Sequence, residues 1–396
     1  MRGNGSTARG GRLGARNHRV TIRDVARQAG VGIATVSRVV NGSGPVADVT
    51  RRHVEDAIRD LGFRPSRAAR SLRRRESNVV GVLVSGVTQA SVVERVRGLI
   101  KALAPLGLDP VLVDVADPHQ RERALAVLVG EGVADAIVAI SIEVPDAWSS
   151  RLRERGGLVV SVDHDAPGWP SVVIDNVLGG RLAASHLVSL GHERIGFVGD
   201  RPAVGMGFSA SAERERGVRQ VLNEAGLTLR RAWVRHPPFG VAEAAASVRS
   251  LLASGSPPTA VSVASDVQAM GVLRTAAELG LRVPDDLSIV GFDDIELAEV
   301  IGLTTVRQPL EGSGAWAAGV LAAWLHGEPV DGGRVWLPLE VIVRGTTGPV
   351  RRQVSPDESS GLSADRRVRG DRNGNRRGGA GVQTAPRRAV TSGSRT

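Results

Sequence analysis

The chain has 396 residues, 42% of them hydrophobic and 23% charged, which is enough to bury more than one core. It contains no cysteine, so disulfides and thiolate metal sites are excluded. No apolar run approaches the roughly 20 residues of a bilayer-spanning helix, and the basic start Met1–His18 lacks the apolar middle of a secretory signal. A cytoplasmic protein with no membrane partner is expected.

The net charge of +10 is unevenly spread. Residues 1–18 carry +4, residues 19–75 carry +8 and residues 350–396 carry +7, leaving −9 for the stretch 76–349. An acidic body with a basic head and basic ends points to a polyanionic partner at the head.

In chain order, residues 1–18 and 349–396 are rich in Gly, Arg, Ser, Asn and Pro without an apolar period, and read as disordered basic tails. Residues 19–63 read as a small helical head. Thr21 and Asp24 give a Thr-x-x-Asp start signal, with Val25, Ala26 and Ala29 following at helical spacing. After Gly30-Val31-Gly32, a second helix is expected over Ile33 to Val40, with Val36, Val39 and Val40 inward. Asn41-Gly42-Ser43-Gly44-Pro45 reads as a loop, and a third helix runs from near Thr50 to Leu61, stopped by Gly62. Residues 64–78 are a short basic connector, linker or helix. From Val79 to about 348 the rhythm changes. Apolar runs (Val79–Val84, Val111–Val115, Ala136–Ile140, Leu158–Val162, Ser171–Ile174, Ile195–Val198, Ala260–Ala264 and Ser288–Val290) alternate with longer helical stretches. That alternation predicts parallel sheets covered on both faces, and its length predicts two subdomains.

Val20 to Asn41 reads VTIRDVARQAGVGIATVSRVVN: two short helices joined by a glycine turn, a helix-turn-helix. The start of the second helix suits the major groove. Ile33, Ala34, Ser37 and Arg38 are expected to face outward, Arg38 donating twice to guanine and the two apolar residues touching a thymine methyl. Thr21, Thr35 and Arg51 are candidate phosphate contacts.

This segment resembles the head of the lactose-repressor (LacI/GalR) family, whose signature runs T-(I/L)-x-D-V-A-x-x-A-G-V-S-x-x-T-V-S-R-V-(I/L)-N. The resemblance adds Asn41 to the DNA-facing set. It also makes Phe63-Arg64-Pro65-Ser66 and the residues after it a hinge helix, with Arg67, Ala69 and Leu72 toward DNA. Leu72 holds the place of a minor-groove wedge; a buried linker residue is its other reading. One departure is Gly32, where the family has a serine. Glycine still caps the helix, but the hydroxyl for phosphate is gone.

The body resembles the periplasmic sugar-binding-protein fold of the same family, giving as fold class a helical head plus a two-subdomain α/β body. The N-subdomain is expected over about 79–174 and 306–334, the C-subdomain over 175–305 and 335–348. Asp163, Arg214, Ser265 and Asp293 fall just after strands or on the facing helix, where α/β ligands bind. A guanidinium with paired acceptors suits a hydroxylated ligand. Phe239 matches a ring-stacking position, and Ser91 and Asp175 complete the candidate effector set. For each acid, and for Phe239, a cap, loop or core role is the competing reading. Gln89-Ala90-Ser91-Val92 departs from the family's Asn-Pro-Phe-Phe, so two aromatic walls are missing.

No nucleophile elbow, His-Glu-x-x-His or phosphate loop is present, and the eight histidines lack ligand spacing. An enzyme, a cofactor and a metal are therefore not expected. The expected protein is a homodimeric, nucleoid-associated transcription regulator, most simply a repressor. It would bind a pseudo-palindromic double-stranded operator under a carbohydrate-like effector. A constitutive DNA binder with no ligand response is the alternative.

Overall fold

In the computed structural model, the described residues are 20–41, 44–63, 78–201, 205–206 and 210–350. The head has three helices, α1 (Ile22–Gln28), α2 (Ile33–Asn41) and α3 (Asp48–Leu61). Asp24 accepts from the backbone N–H and the hydroxyl of Thr21 at 2.9 and 2.7 Å, fixing the start of α1. The third helix begins two residues before Thr50 and ends at Gly62, whose φ of 60° lets its N–H turn back to Arg59. Val25, Ala26, Val36, Val39, Val54 and Ala57 form a core of their own.

The body opens with β1 (Val79–Val84), α4 (Ala90–Leu103), β2 (Asp109–Asp114), α5 (Pro118–Leu125), β3 (Ala136–Ile140), α6 (Asp146–Glu154), β4 (Leu158–Val162) and β5 (Ser171–Val173). The chain then passes to a second lobe: α7 (Asn176–Ser189), β6 (Ile195–Val198), α8 (Ala210–Glu224), β7 (Val234–Arg235), α9 (Val241–Leu252), β8 (Ala260–Val263), α10 (Asp266–Glu278), β9 (Ser288–Asp293), α11 (Glu296–Val300) and β10 (Thr304–Arg307). Helix α12 (Leu310–Leu325) and β11 (Arg334–Trp336) return to the first lobe, and β12 (Glu340–Ile342) ends in the second.

Each lobe carries a six-stranded sheet, ordered β11-β5-β4-β3-β1-β2 and β12-β10-β9-β8-β6-β7. Every pairing is parallel except β10 with β12. That strand follows β11 after only Leu337–Leu339 and adds to the edge of the second sheet. Strands β1, β3, β4, β8 and β9 are buried throughout, which is why they read as continuous apolar runs. The short edge strands β7, β11 and β12 carry no such signal.

The lobes exchange chain at slightly different places than expected. Residue 306 lies inside β10, which stays in the second sheet to Arg307, and the 334/335 boundary cuts β11, which stays in the first through Trp336. The crossings fall at Gln308–Pro309 and at Leu337, which packs against both cores. Among the described residues no helix is long and apolar enough to cross a membrane, and no cluster of three His, Asp or Glu could hold a metal.

Candidate functional site

The carboxyl ends of both sheets face one another across a cleft, as ligand sites in open α/β sheets do. Ser141 follows β3, Asp163 follows β4, Asp200 lies just after β6, Ser265 just after β8, and Asp293 ends β9. Ser141, Asp163 and Asp293 all take positive φ (57°, 67° and 116°), a costly backbone choice for residues with a Cβ. All three line a cavity of about 230 Å³ between the lobes.

Arg214 on α8 is the centre of the second lobe's side. Its Nε donates to the Asn176 side chain at 2.9 Å and its Nη1 to the Ala264 carbonyl at 2.6 Å. The guanidinium lies 3.5 Å above the centre of the Phe292 ring, and Asp293 is 3.9 Å from Nη1. Opposite, Arg95 on α4 is just as buried. It pairs with Asp163 at 3.1 Å, and Asp163 also accepts from the Ser141 hydroxyl at 2.9 Å.

Gln308 joins the two halves. Its Oε1 accepts from Arg95 at 2.9 Å and its Nε2 donates to Asp293 at 2.6 Å. A buried polar chain thus runs from one lobe to the other through a crossing segment. Burial pushes Asp293 up to about 6, against the pull of Arg214, Arg95 and Gln308. Burial also raises Asp200 and lowers Arg214. Asp266, directly behind the site, is raised well above the carboxylate range by burial and by Asp293. It spends its oxygens on Thr305 (2.6 Å) and the Ile295 N–H (3.0 Å), so it is a scaffold residue. The cavity therefore offers donors and acceptors side by side, the pattern that buried hydroxyl groups require.

Of the residues singled out from sequence, Ser91, Asp163, Arg214, Phe239, Ser265 and Asp293 line this cavity. Ser265 also caps α10 by accepting from the Gln268 N–H at 3.2 Å. Asp175 does not line it. It is exposed and caps α7 through the Leu178 N–H at 2.8 Å, while the next residue, Asn176, turns inward to Arg214. Arg95, Asp200 and Gln308 went unpredicted. The signal for Arg95 was present: it interrupts the inward series Val92, Leu99, Leu103 on an otherwise apolar helix face.

In the head, Ile33, Ala34 and Arg38 are exposed along one face of α2, Thr21 is exposed, and Thr35 and Arg51 are half-buried. Ser37 departs from expectation. It is only 8% exposed, because α2 packs against both α1 and α3 and its buried seam widens beyond Val36 and Val39. The Asn41 side chain and Arg67, Ala69 and Leu72 lie outside the described residues.

Comparison with known proteins matches both the head and the body. Residues 21–66 match the model for bacterial regulatory proteins of the lacI family. Residues 184–347 match a periplasmic binding protein-like domain. The chain is 32% identical over 340 residues to the HTH-type transcriptional regulator DegA of Bacillus subtilis, covering 84% of this chain and 99% of DegA. Among solved structures, a complex of the transcriptional regulator CelR with cellobiose is 32% identical, with a TM-score of 0.60, covering 83% of this chain and 100% of that one. The Lac repressor dimer bound to operator and the anti-inducer ONPF is 28% identical, with a TM-score of 0.68, covering 83% and 99%.

Proposed function

The chain belongs to the lacI family of bacterial regulatory proteins, and from that premise we propose that it represses transcription under control of a sugar or sugar derivative held between its two lobes. The protein is a DNA-binding transcriptional regulator, not an enzyme. The observation that carries the effector reading is the cavity flanked by Arg214 and Asp293 on one lobe and by Arg95 and Asp163 on the other. Buried charged side chains gathered at one cleft, two of them (Asp163 and Asp293) at positive φ, point to a binding site. A hydroxylated ring satisfies them and touches both lobes, so its affinity depends on how the lobes are closed.

The DNA reading assigns base contact to Ile33, Ala34 and Arg38, and backbone contact to Thr21, Thr35 and Arg51. One head of this size makes few base contacts, so specificity needs two half-sites and hence a dimer on a pseudo-palindromic operator. The surface suits self-association. Val111 and Leu112 are exposed on the edge strand β2, and Leu297 and Val300 on α11. The site of action is the cytoplasm, on the nucleoid.

The test is a library of sugars and sugar derivatives, scored by thermal shift and by operator affinity on the full chain. At least one compound should raise the melting temperature and change operator affinity by the roughly 5–150-fold of ordinary allosteric coupling. If none alters either quantity, a constitutive DNA binder is the better account.

A further inference from the structure

Gly205 and Met206 belong by sequence to the second lobe, between β6 and α8, yet they dock on the first. Met206 is 2% exposed and packs into the first lobe's hydrophobic core. Its carbonyl accepts from the Glu143 N–H at 3.2 Å. Arg121 on α5 is buried, and its Nη1 donates to the carbonyls of Glu143 at 3.3 Å and Gly205 at 3.1 Å. Arg121 makes no ion pair among the described residues, and its Nε has no partner. Its charge therefore leans on those two carbonyls, one from each lobe. Met206 also lines the cavity between the lobes.

We propose that Met206, clasped to the first lobe through Arg121, sets the size of the ligand and restricts the cleft to a single hydroxylated ring. This rests on the effector reading above and narrows it. The cavity between the lobes has a volume of about 230 Å³. It falls below the roughly 300–1,000 Å³ typical of small-molecule pockets, on the small side for a ligand site. One pyranose or furanose with its hydroxyls fills such a space, and a disaccharide does not. A two-ring ligand needs the lobes further apart. That motion draws an apolar side chain out of a core and leaves the buried Arg121 cation on one carbonyl instead of two. The clasp thus opposes the wider closure while leaving the narrow one undisturbed.

Three full-length proteins test this: the parent, Met206→Ala, and Met206→Leu, which keeps the buried apolar bulk. Each is titrated calorimetrically with a panel of free pentoses, hexoses and hexuronic acids, and with cellobiose, maltose, lactose, sucrose and trehalose. At least one single-ring sugar should bind the parent while no disaccharide does. Met206→Ala should lose about tenfold in single-ring affinity or gain disaccharide binding, and Met206→Leu should keep the parent's behaviour. A disaccharide that binds the parent as tightly as any single ring overturns the proposal. So does Met206→Ala with unchanged selectivity and affinity. Amide hydrogen exchange at Glu143, an exposed residue whose N–H rests on Met206, reads the clasp without any ligand. Slow exchange in the parent and about tenfold faster exchange in Met206→Ala supports the clasp; equal rates overturn it. If no sugar of either size binds, the effector reading fails, and the exchange rates still decide the clasp.

Discussion

Gly180 on α7 lies directly against the backbone carbonyl of Arg214 on α8, so closely that a methyl group at position 180 would overlap it. The relation is reciprocal, because Gly217 lies equally close to the carbonyl of Val177. Two glycines thus bring the helix backbones together, and that approach sets where the Arg214 guanidinium enters the cleft.

Gly180→Ala should therefore act at a distance from any ligand. Overpacking of this kind costs about 1–3 kcal/mol. At roughly 2–4 °C per kcal/mol for a body of this size, the melting temperature should fall by several degrees. Because Arg214 shifts with its helix, effector affinity should fall as well while operator affinity without ligand stays near the parent's. Thermal unfolding and calorimetric titration check both, and an unchanged effector affinity would detach Gly180 from the site.

Arg214→Ala and Asp293→Asn each remove one charged group from the second lobe's side of the cavity. Each should abolish the effector response while leaving ligand-free operator binding within a few-fold of the parent, about 1 kcal/mol or less. Measured by fluorescence anisotropy on operator DNA, the opposite pattern, with DNA binding lost and response retained, would take these residues out of the effector site.

Arg38 is exposed beside Ile33 and Ala34 on α2. Arg38→Ala should cost about 1–3 kcal/mol of operator affinity and relax the preference at one base position in each half-site. Selection of binding sequences with the variant decides this, since an unchanged motif contradicts a base contact.

How much of this was legible from residues alone depends on what each residue is asked to do. The head was readable because its cap, glycine turns and valine spacing are local. The central strands were readable because burial on both faces leaves an uninterrupted apolar run. Asp163 and Asp293 were singled out because strand ends at a sheet switch are where ligands sit, and Arg214 because of the family resemblance; all three line the cavity. Asp175 was misplaced since a cap and a ligand contact look alike in sequence, and one residue of helix phase hands the inward position to Asn176. Ser37 was taken for a surface residue because helix phase alone does not say how many neighbours a helix has. Arg95 and Gln308 find their partners across long sequence separations, which no local pattern reports.

Burial also gives the site a pH signature. Asp293, raised to about 6 by desolvation, keeps its proton to higher pH than an unfolded carboxyl near ~3.9. The native state binds more protons between those values, so this residue's contribution to stability falls as pH rises through that window. Asp200 and Asp266, also raised by burial, push in the same direction. Asp293→Asn removes one of these groups. In urea titrations the variant should gain on the parent as the pH moves from about 4 to about 7. A constant difference across that range would mean Asp293 is not raised in solution.

The three passages of the chain between lobes have a consequence for synthesis. The first sheet has its β11 edge only when Trp336 is in place, and the second has β12 only after Ile342. Helix α12, which covers the first sheet, arrives after the whole central part of the second lobe. A nascent chain leaving the ribosome therefore cannot complete either lobe until nearly all of the body has been translated. The head, with its own core, closes hundreds of residues earlier. A product truncated before residue 310 would pair a finished DNA-binding head with two unfinished lobes, their uncovered strands open to aggregation.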